Sequence, residues 1–251
     1  MEASELFSLE GKVALVTGGS RGLGKEMVLA FAAAGADVVI TSRKEASCQA
    51  LAEQVQGMGR EALAYGCHVG HWDEIDGLVE AAYARFGKVD VLVNNAGMSP
   101  LYGRLADIPE ALYDKVLDVN LKGPFRLTSL VATRMAEGDG GSVINVSSTG
   151  AIRPRGDIIA YACAKAGLNA MTEGMAHAFG PNVRVNCIMC GPFLTDISKA
   201  WDMEKFSQRA QSYALRRGGE PEEVVGAALY FASAASSFCT GSVLKLDGGM
   251  P

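Results

Sequence analysis

The chain has 251 residues, of which 49% are hydrophobic and 20% are charged, and its net charge at pH 7 is −5. Such a composition supports a large buried core and lacks the features of a disordered chain. The acidic balance argues against nucleic acid or an anionic membrane as a partner, and no uncharged apolar stretch reaches the length that spans a bilayer. Residues 1–5 lack the basic-then-apolar order of a signal peptide, so we expect a soluble, cytoplasmic protein.

Short apolar runs alternate with helical patterns along the whole chain. In chain order, the predicted elements are strand 12–17, helix 22–34, strand 37–41, helix 45–58, strand 61–65, helix 72–86, strand 89–93, helix 110–135 with room for a break near 123–124, strand 142–146, helix 159–179, strand 183–188, helix 221–232 and strand 242–246. Strands that are apolar on both faces and are joined by helices form parallel sheets covered on both sides. We therefore predict an α/β fold, with one doubly wound, Rossmann-type domain of seven parallel strands over residues 1–251.

One segment, from about 190 to 219, does not fit this alternation. It carries Trp201, Phe206 and Tyr213 and interrupts the last strand–helix–strand unit. Ligands of open α/β sheets bind beyond the carboxyl ends of strands, and this segment follows such an end. We expect it to cover the substrate, and we call it the substrate loop.

A glycine-rich turn, residues 17–24, follows the first predicted strand and opens the first helix. Glycines permit a tight turn and close approach of a ligand, and the amino end of a helix offers unpaired N–H groups to a pyrophosphate. The glycine spacing is G-x-x-x-G-x-G rather than G-x-G-x-x-G, and an ordinary tight turn is the alternative. We predict a dinucleotide site here, with contacts from Gly18, Ser20, Arg21, Gly22, Leu23 and Gly24.

The end of the second predicted strand indicates which dinucleotide is bound. An acidic residue there would bind the adenosine 2′-hydroxyl of NAD, but this chain has Ser42, Arg43 and Lys44, which suit a 2′-phosphate. Arg21 in the glycine turn offers a further positive charge. An ordinary solvated surface is the alternative; we favour the cofactor interpretation and predict NADP(H) over NAD(H).

Tyr161 and Lys165 lie four residues apart in a predicted helix, so both side chains share one face. A nearby ammonium favours the phenolate and lowers the pKa of a tyrosine from its usual value near ~10. Many helix surfaces carry such a pair without any function. Ser148, upstream of Tyr161, and the glycine turn favour a proton-transfer site instead.

The six cysteines are scattered through predicted strands and helices, unlike those of a small disulfide-rich protein. Cys187 and Cys190 form a C-x-x-C, but the first ends an apolar strand, so we interpret it as a buried thiol and not as part of a redox pair. Cys67, His68 and His71 lack a second ligand pair at zinc-like spacing, and we predict no metal site.

Together, these motifs resemble those of the short-chain dehydrogenase/reductase family, and within it the 3-oxoacyl-carrier-protein reductases and related ketoreductases. The resemblance covers nearly the whole chain and rests on residues 17–24, the Asn-Asn-Ala-Gly run 94–97, Asn120, Ser148 with Tyr161 and Lys165, and the Asp-Gly-Gly run 247–249. It implies an NAD(P)-dependent oxidoreductase that acts on CH–OH or C=O groups.

The resemblance also implies residue roles. Tyr161 would be the general acid for carbonyl reduction or the base for alcohol oxidation, and Lys165 would lower its pKa and bind the nicotinamide ribose. Ser148 would hydrogen-bond the substrate oxygen, and Asn120 would hold a water that links Lys165 to solvent. Further cofactor contacts are implied for His68, Val69, Asn95, Ala96, Gly97, Phe193 and Thr195.

Two positions depart from the family pattern. His68 stands where relatives have an aspartate that contacts adenine, and Cys190 stands where they have a proline. Loss of a proline frees φ and restores an N–H, so we expect a more mobile substrate loop. A thiol near the nicotinamide would also make activity sensitive to oxidants.

The candidate substrate contacts are mostly apolar, which suits a hydrophobic ketone or secondary alcohol. They are Ser99, Ile152, Phe193, Leu194 and Trp201, with Met98, Leu101 and Met203 as further wall residues. Arg153 and Arg155 either meet an anionic group of the substrate or are solvated loop residues.

The predicted function is that of an NADPH-dependent carbonyl reductase or alcohol dehydrogenase. One alternative is a sugar or polyol dehydrogenase that works in the oxidative direction; a less favoured one is a cofactor-binding protein without activity. Family members usually form homotetramers through the helices predicted at 110–135 and 159–179 and the last strand, so we expect a homotetramer or a homodimer.

Overall fold

The fold centres on one parallel sheet of seven strands in the order β3-β2-β1-β4-β5-β6-β7. The structure is a computed structural model that describes residues 3–196, 198 and 201–251. The strands are β1 (Val13–Thr17), β2 (Asp37–Ser42), β3 (Ala62–Gly66), β4 (Val91–Asn94), β5 (Gly141–Ser148), β6 (Val183–Cys190) and β7 (Val243–Leu246). The predicted doubly wound α/β fold is confirmed.

Helices cover both faces of the sheet. They are α1 (Ala3–Leu6), α2 (Gly22–Ala33), α3 (Glu45–Gly57), α4 (Trp72–Phe86), α5 (Glu110–Leu117), α6 (Gly123–Glu137), α7 (Ile159–Phe179), α8 (Met203–Ala210) and α9 (Val225–Ala232). The sequence prediction missed α1 and α8. No helix in the described part of the chain is both long and apolar enough to cross a bilayer.

Two apolar layers, one on each side of the sheet, form the core. Alternate side chains of a strand point to opposite faces. In β1, Val16 therefore packs with Phe31 of α2 on one side, while Leu15 packs with Leu78 of α4 on the other. Because both faces are covered, β1 is buried along its whole length, which explains its uninterrupted apolar sequence.

The strand order reverses direction at the centre of the sheet, where β1 pairs with β2 on one side and with β4 on the other. A crevice opens beyond the carboxyl ends of the strands at such a point, and ligands bind there. Thr17, Asn94 and Ser148 end β1, β4 and β5 at this edge. The predicted turn, amide and serine residues are thereby gathered at one edge of the sheet.

The helix predicted over 110–135 consists of α5, a π-helical turn over Asp118–Lys122, and α6. The chain does not break at Pro124, because proline lies in the first turn of α6, where a missing N–H costs no helix bond. Gly123 allows α6 to approach the β3–α4 connection: a Cβ there would lie 1.9 Å from the carbonyl oxygen of Val69. The π-turn carries Asn120 into the interior, and such turns are frequent at functional sites.

The substrate loop has a closed base and an apolar centre of its own. A parallel bridge joins Phe193 to Gly219 at its base. Within the loop, α8 and its neighbours form a small cluster with the carboxyl-terminal tail, made of Leu194, Trp201, Phe206, Ala210, Tyr213 and Met250. Residues 197, 199 and 200 of the predicted loop lie outside the described residues.

Candidate active site

The glycine turn between β1 and α2 has the shape of an anion cradle. A Cβ on Gly24 would lie 2.3 Å from the carbonyl oxygen of Gly18 and 2.6 Å from Nδ2 of Asn95, so only glycine fits. Gly18 and Gly22 have φ angles of 62° and 52°, which glycine adopts without strain. The first turn of α2 has neither a side-chain cap nor an acidic residue, so its N–H groups and partial positive charge remain available. These features fit the pyrophosphate of a dinucleotide.

Thr17 fastens the end of β1 to the end of β4. Its Oγ1 donates to the carbonyl oxygen of Val93 at 3.2 Å and accepts from the N–H groups of Asn95 (3.0 Å) and Ala96 (3.1 Å). Asn95 Nδ2 in turn donates to the carbonyl oxygens of Thr17 (2.9 Å) and Gly18 (3.2 Å). These bonds fix the floor of the cleft. Thr17 was not among the residues predicted for the site, although its place at the head of the turn signalled a role.

Two of the predicted phosphate-binding bases are free at the end of β2. Arg43 and Lys44 are exposed and have no ion-pair partner among the described residues. Ser42 donates its hydroxyl hydrogen to the carbonyl oxygen of Lys44 at 3.2 Å, which shapes this corner. Arg21 instead pairs with Asp196 of the substrate loop at 3.4 Å, so its charge is directed across the cleft.

Tyr161, Lys165 and Ser148 come together at the junction of α7 and β5. The Nζ atom of Lys165 lies 5.8 Å from the centre of the Tyr161 ring. Lys165 is buried and donates to the carbonyl oxygen of Val146 at 2.8 Å. The hydroxyl of Ser148 accepts from the N–H of Gly150 at 3.1 Å. A Cβ on Gly150 would lie 3.4 Å from Oγ of Ser148 and 3.8 Å from Cε1 of Tyr161, so the two side chains are neighbours. Residues that are distant in sequence thus form one compact cluster.

Burial dominates the electrostatics of this cluster. It raises the pKa of Tyr161 to about 12, and the neighbouring hydroxyl of Ser148 acts in the opposite direction. Burial also lowers the pKa of Lys165 to about 8. The pKa of Tyr161 thus moves opposite to the expected lowering, because desolvation of the phenolate is the largest influence on it. The tuning of Tyr161 by Lys165 stays a prediction. At neutral pH, Tyr161 carries its proton and can donate it.

Asn120 lies between the segment after β4 and the lysine. Its Nδ2 donates to the carbonyl oxygens of Val116 (2.8 Å) and Met98 (2.9 Å), and its Oδ1 accepts from the N–H of Met98 (3.3 Å). A Cβ on Gly97 would lie 3.0 Å from Oδ1 of Asn120 and 3.8 Å from Nζ of Lys165. Asn120 therefore anchors the wall beside Lys165, and its water contact stays a prediction.

A buried chain of hydrogen-bonded polar side chains lies behind the cluster, and most of its members were not predicted as site residues. Asn94 of β4 donates to Thr128 of α6 and to Asn145 of β5, each at 2.9 Å. Asn145 donates to Thr172 of α7, also at 2.9 Å. Hydrogen-bonded polar groups of this kind rigidify a core. The signal in the sequence was an amide inside each of two apolar strands.

The predicted substrate contacts differ in how far the fold already uses them. Phe193 is buried and packs on Gly219, while Leu194 and Trp201 belong to the apolar centre of the substrate loop. Ser99 is half-buried and Ile152 is exposed. Thr195 faces the glycine turn: a Cβ on Gly22 would lie 3.6 Å from its side chain.

The two candidate arginines near the cleft are not equivalent. Arg155 forms a two-point ion pair with Asp157, which leaves it little freedom to bind a substrate anion. Arg153 is exposed and has no ion-pair partner in the described part of the chain. The N–H of Tyr102 donates to the carbonyl oxygen of Asp157 at 3.3 Å, which joins the segment after β4 to this one.

Cys190 and Cys187 both lie within β6 and are buried, because the strand continues two residues beyond its predicted end. Burial raises the pKa of Cys190 to about 12 and that of Cys187 to about 11. The thiolate is the reactive form, so the expected sensitivity of Cys190 to oxidants is not supported by this environment. Among the described residues, no group of three or more His, Cys, Asp or Glu is arranged to hold a metal ion.

The chain resembles known proteins over its whole length. Residues 18–251 match a family model described as enoyl-(acyl carrier protein) reductase. The dehydrogenase/reductase SDR family member 4 of Homo sapiens is 36% identical over 246 residues, which is 97% of this chain and 88% of that protein.

Two solved structures share the fold closely. A gluconate 5-dehydrogenase from Burkholderia cenocepacia, in complex with NADP and tartrate, superposes with a TM-score of 0.94 at 32% identity, covering 99% of this chain and 98% of that one. A 7α-hydroxysteroid dehydrogenase, complexed with NADH and 7-oxo glycochenodeoxycholic acid, has a TM-score of 0.93 at 32% identity, covering 100% of this chain and 98% of that one.

The chain therefore belongs to the short-chain dehydrogenase/reductase family, as its cradle, its proton-transfer cluster and these matches agree. Within that family it is an oxidoreductase that acts on alcohols or ketones with a nicotinamide dinucleotide as its cofactor.

Proposed function

We propose that this protein is an NADPH-dependent reductase of apolar ketones that also oxidises the corresponding secondary alcohols, with Tyr161 as its general acid and base. The observation that carries the proposal is a tyrosine beside Ser148 and a buried lysine, at the edge of the sheet where the glycine turn lies. We propose residues 1–251 as one catalytic domain, with the substrate loop as its cover.

The side chains have distinct tasks in this mechanism. A bound nicotinamide dinucleotide supplies or accepts the hydride. Ser148 donates a hydrogen bond to the carbonyl oxygen, where negative charge develops, and Tyr161 gives its phenolic proton to the same oxygen. Lys165, cationic below its pKa of about 8, stabilises the phenolate that remains. In alcohol oxidation the same proton moves back to Tyr161.

The preference for NADPH is proposed from the free bases at the end of β2. Ser42 leaves no carboxylate to repel a 2′-phosphate, and Arg43 and Lys44 are unpaired in the described structure. We expect the ratio of the dissociation constants for NADH and NADPH to fall at least tenfold in Ser42→Asp combined with Arg43→Ala. Arg85→Ala, a surface base at the far end of α4, is the matched control and leaves the ratio unchanged.

A panel of ketones and alcohols, assayed with NADPH, NADH and both oxidised forms, tests the reaction. We expect the highest kcat/KM for an apolar ketone with NADPH. The structural similarity to a gluconate 5-dehydrogenase favours one competing function, the oxidation of sugar acids or polyols. A strong preference for such an alcohol with the oxidised cofactor would support that function, and failure of every substrate would contradict both.

We also propose that the enzyme is a homo-oligomer, a tetramer or a dimer, of the cytoplasm. An apolar groove of about 580 Å³ beside α5, α6 and α7 supports the proposal of an oligomer, because a second copy could pack there. The six cysteines are all free thiols, which suits a reducing compartment.

A further inference from the structure

His68 lies where the base of a dinucleotide would extend. The N–H of Cys67 donates to the carbonyl oxygen of Ser42 at 2.9 Å, so the chain just past β3 is fastened to the end of β2. In a doubly wound sheet, the pyrophosphate binds at the first glycine turn and the adenosine ribose at the end of β2. The base beyond that ribose then reaches the end of β3, where His68 stands. This placement rests on the proposed function.

Hydrogen bonding determines which form of the imidazole is present. Nδ1 of His68 accepts from the N–H of Gly70 at 3.1 Å. An accepting nitrogen carries no proton, so the proton of the neutral ring is on Nε2. Burial, and then the neighbouring His71, lower the pKa of His68 and keep the ring neutral. Nε2–H has no hydrogen-bond partner among the described residues, and it can only donate.

The ring is also held in this orientation. It stacks on His71 with 4.2 Å between the ring centres and an angle of 19° between the planes. Glu74 supports both residues, since it accepts from the N–H of His68 at 2.7 Å and bonds Nδ1 of His71 at 2.6 Å. Turning the ring to present an acceptor would break the bond to Gly70 and the stack.

We propose that His68 is a specificity residue that reads the base of the cofactor with a hydrogen-bond donor. The 6-amino group of adenine is itself a donor, whereas the 6-oxo group of hypoxanthine is an acceptor. An ionised aspartate only accepts and has the opposite preference. The site is therefore suited to a dinucleotide with a 6-oxopurine base, and adenine is bound without a bond to its amino group.

Direct binding of two dinucleotides tests the proposal. The probes are NADPH and reduced nicotinamide hypoxanthine dinucleotide phosphate, titrated calorimetrically at neutral pH without substrate. We expect the wild-type protein to bind the hypoxanthine form at least as tightly as NADPH. His68→Asp is expected to favour NADPH by roughly tenfold or more. The 6-amino group of adenine can donate to the carboxylate, whereas the 6-oxo group of hypoxanthine is an acceptor and cannot bond it. His177→Asn, at an exposed histidine of α7, is the matched control and retains the wild-type ratio.

Several results would overturn the proposal. One is a wild-type preference of more than fivefold for NADPH, and another is an unchanged ratio in His68→Asp. If His68→Asp does not fold, the affinity ratio of the wild-type protein and that of His68→Asn test the proposal. The amide of asparagine both donates and accepts, so His68→Asn should bind the two dinucleotides equally. A ¹⁵N NMR spectrum with the proton on Nδ1 would also contradict it. Failure to bind either dinucleotide would instead remove the proposed function, on which this inference depends.

Discussion

Ser148 uses its hydroxyl oxygen as an acceptor within the protein. It accepts from the N–H of Gly150, which orients its side chain at the end of β5. We expect Ser148→Ala to lower kcat by roughly 10²–10³-fold, the usual effect of losing a donor to a developing oxyanion. Cofactor affinity should stay unchanged. Steady-state kinetics with a good ketone measure this, with Ser129→Ala on the exposed face of α6 as control. A decrease in kcat of less than fivefold would contradict the role of Ser148 as a donor to the substrate oxygen.

Lys165 combines a functional role with a cost in stability. Burial lowers its pKa from 10.5 to about 8, so between these values the unfolded chain binds a proton that the folded chain lacks. The free energy of unfolding then rises with pH across this window, and below about pH 8 the cost is fully present. We expect the stability of Lys165→Met, relative to wild type, to be roughly 2 kcal/mol greater at pH 7 than at pH 10.

Urea unfolding of both proteins at the two pH values measures this difference. The variant also leaves the carbonyl oxygen of Val146 without its donor, but that loss does not depend on pH and cancels in the comparison. If the free energy of unfolding of Lys165→Met differs from that of wild type by the same amount at pH 7 and at pH 10, Lys165 is not desolvated in the folded protein.

That the candidate residues Ser148, Tyr161 and Lys165 come together could be predicted from the sequence, but their electrostatics could not. The spacing of Tyr161 and Lys165 fixes their common face on a helix, and the prediction of that helix was correct. The direction of the Tyr161 pKa shift depends on burial beneath segments that are distant in sequence. The bond from Lys165 to Val146 likewise joins α7 to β5, and nothing local in the sequence indicates it.

At the scale of elements, the connection between β1 and α2 is the most constrained. Gly24→Ala would place a methyl group 2.3 Å from the carbonyl oxygen of Gly18, so the turn must open. We expect at least a tenfold weaker affinity for NADPH, measured by calorimetry. Gly226→Ala, on α9, is the matched control, because its Cβ would meet nothing within 4 Å. The control should instead gain up to about 1 kcal/mol of stability. Equal NADPH affinities in the two variants would contradict the claim that the glycine turn binds the cofactor.

Hydrophobic periodicity alone does not reveal every element of this fold. The helix α8 is short and lies in an irregular segment, so alternation did not reveal it. A capping signal was present: Asp202 precedes α8 and its carboxylate accepts from the N–H of Lys205 at 3.1 Å. The ends of β5 and β6 were drawn too short, because polar residues such as Ser147 are buried there by long-range pairing.

For the whole molecule, the groove beside α5, α6 and α7 carries the prediction about assembly. Leu117, Leu121, Phe125 and Met171 line it, and Phe125 is 48% exposed. A second copy packed there would bury this apolar surface. We expect Phe125→Asp to lower the mass found by sedimentation equilibrium. Met58→Asp, at a residue that is 44% exposed beyond α3, should not lower it. An identical mass for Phe125→Asp and wild type would contradict this interface.

The class of fold could be predicted because alternating apolar strands and helices have few solutions in three dimensions. The details that select a substrate could not, since they depend on how the substrate loop packs. Leu194 and Trp201 illustrate this: as sequence, they are apolar residues suited to a substrate wall, but the loop uses them for its own centre. Arg153 and Arg155 differ only because Asp157 pairs with one of them.

The central claim is that Tyr161 transfers the proton while the cradle binds the cofactor independently. The most direct test measures NADPH affinity and ketone turnover in the same preparation of Tyr161→Phe, with Tyr113→Phe, an exposed position on α5, as the control. We expect NADPH to bind Tyr161→Phe with wild-type affinity while kcat falls at least 10³-fold, and Tyr113→Phe to match wild type in both. A Tyr161→Phe protein that keeps more than a tenth of the wild-type kcat would contradict the account.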